Sequence, residues 1–159
     1  MGTHTAQVRW ALDPGVDNDD FVRGKYSRAH SWVFDGGVTV PGSPDPAVVR
    51  TPWSDPSAVD PEEALVASAS SCHMMTFLWL ASKAGHVVTR YTDEASGEMT
   101  TNDAGAGYIS AITLHVSIEY AEGTRPSAEE ESALHHAAHE QCPIANSIVA
   151  GVTIRSVGR

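Results

Sequence analysis

Residues 64–81 contain no charged side chain, and this run constrains the fold more than any other part of the chain. It approaches the roughly 20 residues of a membrane span, but Ser68, Ser70, Ser71, His73 and Thr76 would be costly in lipid. A helix apolar on nearly every side and studded with small residues reads instead as the buried spine of a compact protein. One domain of 159 residues can hardly surround such a helix alone, so a homodimer is expected. The helix start is well marked. Asp60 can cap it, Pro61 suits its first position, and Glu62 and Glu63 favour the positive end of its dipole. Glu63 also completes a capping-box arrangement with Asp60. Gly85, just after Lys83, marks the end.

Before this helix, residues 6–12 alternate weakly and read as a strand, and residues 13–20 as a loop. Residues 21–34 read as a second strand, with Tyr26, Arg28, His30 and Trp32 on one face by period two. Asp35-Gly36-Gly37 is a hairpin turn, with residues 38–40 pairing back. Residues 42–59 hold four prolines and form an irregular loop. After the helix, residues 87–100 and 108–120 read as two long strands joined through Asn102-Asp103 and residues 105–107, which begin and end in glycine. Ile112, Leu114, Val116 and Ile118 share one face of the second. Pro126-Ser127 opens another helix, with Glu129, Glu130 and Glu131 in its first turn. It runs to about Gln141, is interrupted by Pro143 and resumes briefly to Ile148. Residues 152–157 close the chain as a strand. The class is α+β, with a mainly antiparallel sheet and one domain over residues 1–159.

A formal charge of −10 argues against nucleic acid or an anionic membrane surface as partner, because both repel it. The N-terminal residues lack the basic-then-apolar pattern of an export signal. With two cysteines, a reducing cytoplasm is therefore the expected compartment, and there a permanent disulfide is uncommon.

Cys72 lies ten positions beyond Glu62, about 15 Å along the helix. The helix dipole fades within the first turn and cannot make it a thiolate, and an apolar setting raises its pKa. A reactive Cys72 needs a cation from another element. Arginine stays charged and suits that task, and it would itself need a carboxylate to hold it. Arg23 and Arg28 are available upstream, with Glu62 or Glu63 at the helix start. The plain alternative is that Cys72 is an inert core residue. Cys142 sits where Pro143 breaks a helix, and a disulfide would require its Cα within about 7 Å of that of Cys72.

His135, His139 and Cys142 fall at i, i+4 and i+7, a helix stripe beside His136. With Cys72-His73 they could bind zinc, but the spacing reads more readily as an exposed or partner-facing stripe. Ser68, Ser70 and Ser71 lack the surroundings of a nucleophile elbow and read as packing residues. Asp93, Glu94 and Glu98 read as solvated strand carboxylates. Met74, Met75, Phe77 and Trp79 are core, or the apolar wall of a pocket.

Asp60-Pro61-Glu62-Glu63 running on to Ser71-Cys72-His73-Met74, together with Gln141-Cys142-Pro143-Ile144, resembles the OsmC/organic hydroperoxide resistance family. Its members pair a Pro-Glu motif ten residues before a helical cysteine with a second cysteine followed by proline. The resemblance implies an intertwined homodimer, with sheets from both chains wrapped around two long central helices. It implies reduction of organic hydroperoxides to alcohols in peroxide defence, through a Cys72 sulfenic acid and a Cys72–Cys142 disulfide. An external dithiol of the dihydrolipoamide or thioredoxin type would restore the thiols, with neither metal nor organic cofactor. By position, Cys72 matches the attacking thiol, Cys142 the resolving one, Glu62 the carboxylate that holds the arginine, and Arg23 that arginine. Arg28, His30 and His73 are alternates, and Met75 and Trp79 are candidate walls of an apolar substrate pocket.

The chain departs from familiar members in three places. His73-Met74 stands where an aromatic residue is usual, residues 42–59 make a long loop, and His30 is extra. Those departures mark an OsmC-like subgroup, and leave two other readings. One is a non-catalytic dimer that binds an apolar ligand or senses oxidation. The other is a zinc-binding Cys/His protein. Between Arg23 and Arg28, the sequence does not choose.

Overall fold

In the computed structural model, which describes residues 2–156, the chain divides into two units, Met1–Ala64 and Leu65–Arg159. The first holds β1 (Ala6–Arg9), α1 (Asn18–Val22), β2 (His30–Phe34) and β3 (Thr39–Gly42). The strands form an antiparallel sheet in that order, with Val8 opposite Trp32 and Trp32 opposite Val40. The predicted hairpin is present: Phe34 N bonds Val38 O at 2.9 Å, and Gly37 takes φ +83°, a region that favours glycine. The proline-rich loop is pinned to β3. Ser43 is fully buried, its Oγ accepts from Asp55 N at 2.8 Å, and Val59 N donates to Pro41 O at 3.0 Å.

The expected strand over residues 21–34 is corrected. Asp17 Oδ1 accepts from Asp20 N at 2.8 Å, and Asp19 and Asp20 occupy the first turn of α1, so local capping wins. The chain then turns at Gly24 (φ +75°), and pairing starts at His30. Tyr26 and Arg28 therefore lie outside the strand that carries His30 and Trp32.

The central helix, α2, spans Pro61–Lys83. Its capping box is formed: Glu63 N donates to Asp60 Oδ1 at 2.7 Å, and Asp60 N to Glu63 Oε2 at 3.1 Å. Its end is a Schellman motif, with His86 N on Ala81 O at 3.0 Å, Gly85 N on Ser82 O at 3.2 Å, and Gly85 at φ +86°.

Beyond it lie β4 (Val88–Asp93), β5 (Ser96–Thr101), β6 (Gly107–Tyr120), α3 (Ala128–Gln141), a short 3-10 turn (Ala145–Ser147) and β7 (Gly151–Ser156). The strand expected over 87–100 is two strands. β4 pairs antiparallel with the C-terminal part of β6 and β5 with its N-terminal part, with irregularities at Val88/Arg90 and Glu98/Met99. β7 runs parallel to β6, Leu114 facing Ile154. The sheet is thus mainly antiparallel, as expected. Residue 157, placed in the closing strand by the sequence, lies outside the described residues.

The alternation of β6 decides where the core sits. Ile112, Leu114, Val116 and Ile118 are buried, each contributing about 1.5–3 kcal/mol at full burial. They form one cluster with Ala69, Phe77 and Ala81 of α2 and Ala138 of α3. Ala69 and Ala81, the small residues of the uncharged run that are buried in this cluster, let backbone and sheet approach closely. In the single chain α2 is buried along one stripe, whereas Met75 is 60% and Trp79 54% exposed. By length and composition α2 could cross a membrane; its covered stripe packs into the hydrophobic cluster with β6 and α3.

Candidate functional site

The helix periodicity that buries Ala69 and Phe77 also carries Cys72 and His73 inward. From the other side, α3 opens with its own capping box: Glu130 N donates to Ser127 Oγ at 3.2 Å and Ser127 N to Glu130 Oε2 at 2.7 Å. The helix ends at Cys142, whose N–H bonds His139 O before Pro143 redirects the chain. Those two elements bring the cysteines together. Cys142 Sγ donates to Cys72 Sγ at 2.6 Å, in a buried setting, and both are free thiols.

The Cys72 thiol is pushed above its ordinary value, first by burial and then by the Cys142 hydrogen bond, with a backbone bond from Ile144 opposing. No cation of residues 65–156 acts on it. Arg90 pairs with Glu119 at 3.3 Å, and Arg125 reaches Ile118 O at 3.2 Å. The expectation that Cys72 does not activate itself therefore holds for its own unit.

One rung along α2, a second side-chain pair joins the same helices. His73 Nε2 lies 3.0 Å from His135 Nδ1, the rings stacked at 8° between planes, with Phe77 against His135 at 4.4 Å. Burial lowers both imidazoles to about 4, and His135 and His139 add to the effect on His73 while Asp93 opposes it. The bond itself needs neutral rings, one N–H donating to the other's lone pair. Asp93 is not a solvated strand carboxylate: it accepts from Ser70 Oγ at 2.5 Å, and its other oxygen is buried. An open cleft of ≈ 350 Å³ runs beside His135, lined also by Glu131, Ser132, His136 and Ser156.

These contacts correct the reading of residues 135, 139 and 142 as an exposed or partner-facing stripe. His135 and Cys142 are buried, facing α2. Among the described residues no three His, Cys, Asp or Glu side chains converge as a metal shell, because sulfur faces sulfur and imidazole faces imidazole. Sequence reasoning missed the His73–His135 pair. A histidine directly after Cys72 in an uncharged helix was its signal.

In the first unit, Arg23 caps α1 and makes an exposed ion pair to Asp19 at 3.7 Å. Arg28 is more firmly held: Nη1 donates to Tyr26 O at 3.0 Å and Gly24 O at 3.2 Å, and the guanidinium lies 4.3 Å over the Tyr26 ring. His30 Nδ1 bonds Arg28 O at 2.8 Å, and its Nε2 accepts from Trp32 Nε1 at 2.8 Å. Glu62 is exposed in the first turn of α2. Met75 and Trp79 stand on the exposed stripe of α2.

Residues 54–157 match the family model described as OsmC-like protein. The chain belongs to the OsmC-like family. An OsmC-like protein of unknown function from Vibrio cholerae is 39% identical, over 99% of this chain and 100% of that one, with a TM-score of 0.92. More distant OsmC-like folds include an organic hydroperoxide resistance protein OsmC from Legionella pneumophila, at 16% identity over 98% and 97% of the two chains and TM-score 0.66. Another is the organic hydroperoxide resistance protein OhrB of Bacillus subtilis, at 20% identity over 96% of each and TM-score 0.61. Among curated proteins, none matches this sequence.

Proposed function

We propose that this OsmC-like chain is a thiol-dependent peroxidase that reduces organic hydroperoxides to alcohols. The observation that carries the reading is the contact of two free, buried thiols, Cys142 Sγ 2.6 Å from Cys72 Sγ. Structural cysteines in a reducing compartment have no need to touch. A sulfenic acid formed at one, however, is trapped at once by the other. That two distant folds of the family bear the name organic hydroperoxide resistance supports the same chemistry.

The Cys72 thiolate attacks the terminal oxygen of R–O–O–H. The O–O bond breaks, an alkoxide leaves and takes up a proton as R–OH, and Cys72 becomes S–OH. Cys142 then attacks that sulfur, water departs, and the disulfide forms. An external dithiol reduces it by exchange and is itself oxidised to a disulfide. Burial holds the Cys72 pKa up, so attack requires a guanidinium supplied to the thiolate. Arg23 or Arg28 fills that role, with Glu62 holding the arginine, and variants of each arginine distinguish them. The exposed Met75 and Trp79 stripe of α2 fits burial in a homodimer, with the reaction placed in the cytoplasm.

The raised Cys72 pKa favours one second reading, an OsmC-like dimer that senses oxidation or binds an apolar ligand without turnover. Consumption of cumene hydroperoxide in the presence of dihydrolipoamide separates the two. The peroxidase reading expects catalytic turnover that Cys72→Ser abolishes. No turnover by folded protein, or full turnover by Cys72→Ser, overturns it.

A further inference from the structure

Two imidazoles bridge α2 and α3 beside the thiols, and the peroxide reaction makes no use of their chemistry. Among the described residues, side-chain hydrogen bonds join these helices at the thiols, Cys142 Sγ to Cys72 Sγ at 2.6 Å, and at the rung of His73 Nε2 with His135 Nδ1 at 3.0 Å. All four side chains are buried.

The two contacts are neighbours on one helix and far apart on the other. Cys72 and His73 are successive residues of α2, whereas His135 lies seven positions before Cys142, two turns or about 10 Å along α3. α3 is therefore held against α2 at two separated points. Two points fix a direction that a single contact leaves free to pivot. The placement of α3 also reaches the sulfur directly. Cys142 caps the helix with its N–H on His139 O, and Asn146 Nδ2 ties Glu140 O at 2.9 Å to Cys142 O at 3.1 Å.

Around the rung the packing is apolar, with Ala138 of α3 in one cluster with Ala69, Phe77 and Ala81 of α2. Apolar contact is non-directional, whereas a hydrogen bond holds length and angle within a narrow range. The rung is costly to bury. His73 Nδ1 and His135 Nε2 have no partner, a penalty that an apolar pair would avoid. His139 and Asp93 face His73, and Glu131 and His136 border the cleft beside His135. None of them bonds to either ring, so each imidazole has the other as its hydrogen-bond partner.

We propose that His73 and His135 are positioning residues for the thiol pair: their bond sets α3 across α2 so that Cys142 meets Cys72, and its loss disfavours the disulfide. The inference rests on the disulfide step of the peroxidase reading and deepens it by naming what keeps the resolving thiol in reach.

Equilibration of the full chain with lipoamide and dihydrolipoamide at graded ratios tests the rung without peroxide. The two protein thiols are oxidised to the bridge while the cyclic disulfide of lipoamide is reduced to its dithiol, and alkylation with mass spectrometry reads the bridged fraction. His73→Leu and His135→Leu should each lower the bridging constant about fivefold or more, the worth of one net hydrogen bond. His73→Gln offers an amide near the place of Nε2 and should stay within about twofold of the native chain. Val116→Ala loosens a buried core position on β6 that takes no part in either interhelical bond, and should leave the constant unchanged. Native constants in both Leu variants, or an equal fall in Val116→Ala, overturn the proposal alone. A native chain that bridges at no ratio overturns the disulfide step together with it. Should one Leu variant fail to fold, the other decides. Should neither fold, the native chain decides, because coupling is reciprocal: bridging must move the titration of the two histidines to lower pH, and equal midpoints in the reduced and bridged forms overturn the proposal.

Discussion

His73 Nε2 and His135 Nδ1 sit 3.0 Å apart inside the second unit, so one neutral imidazole donates its N–H to the lone pair of the other between α2 and α3. Each has its pKa depressed from 6.5 to about 4 by burial. A base with a depressed folded pKa lends stability that is fully present above its unfolded value and is lost as pH falls towards the folded one. Stability should therefore decline from about pH 6.5 to about pH 4, by a few kcal/mol for the pair. Urea unfolding across that window measures it. The double variant His73→Gln/His135→Gln should be less stable at neutral pH and show a shallower slope. An unchanged slope would remove the pair as its source.

Cys142→Ser leaves Cys72 without its sulfur neighbour. One equivalent of peroxide should still be consumed per chain, the Cys72 sulfenic acid should persist long enough to be trapped by dimedone, and turnover with dithiol should fall at least tenfold. Retention of full turnover would show that Cys142 does not resolve the intermediate.

Gly42→Ala should destabilise the chain by about 1–3 kcal/mol, the usual cost of overpacking, because its Cβ would meet His30 Nε2 at 2.5 Å. Gly36→Ala is the control: nothing lies within 4 Å of a Cβ there, and its effect should stay within about 0.5 kcal/mol. Comparable losses in the two variants would contradict the packing argument.

Both helix starts and the face of β6 were legible in the sequence, because each rests on local rules: Asp60 with Glu63, Ser127 with Glu130, and period-two burial from Ile112 to Ile118. The fold class and family were legible for the same reason, through motifs anchored to those caps. Other features depended on contacts that local pattern does not carry. α1 was hidden because Phe21 and Val22 read as the start of a strand, although Asp17 was already placed to cap a helix. The break between β4 and β5 follows from pairing with two parts of one longer strand, which no window of residues 87–100 displays. The cysteine contact was implied by the resemblance. The histidine rung beside it needed the register of α2 against α3, which is a tertiary fact.

Met75 and Trp79 mark one stripe of α2 exposed at 60% and 54% in the single chain. If this stripe is a dimer seam, the native chain should sediment as a dimer and Trp79→Glu should shift it to monomer at micromolar concentration. A native chain that sediments as monomer would contradict that assembly.

Mass spectrometry of the reduced protein after one equivalent of cumene hydroperoxide tests the central claim most directly. The account predicts loss of two hydrogens and a single bridged peptide pair containing Cys72 and Cys142, reversed by dihydrolipoamide. An unmodified chain, or a Cys72 that stays oxygenated beside a free Cys142 thiol, would contradict it.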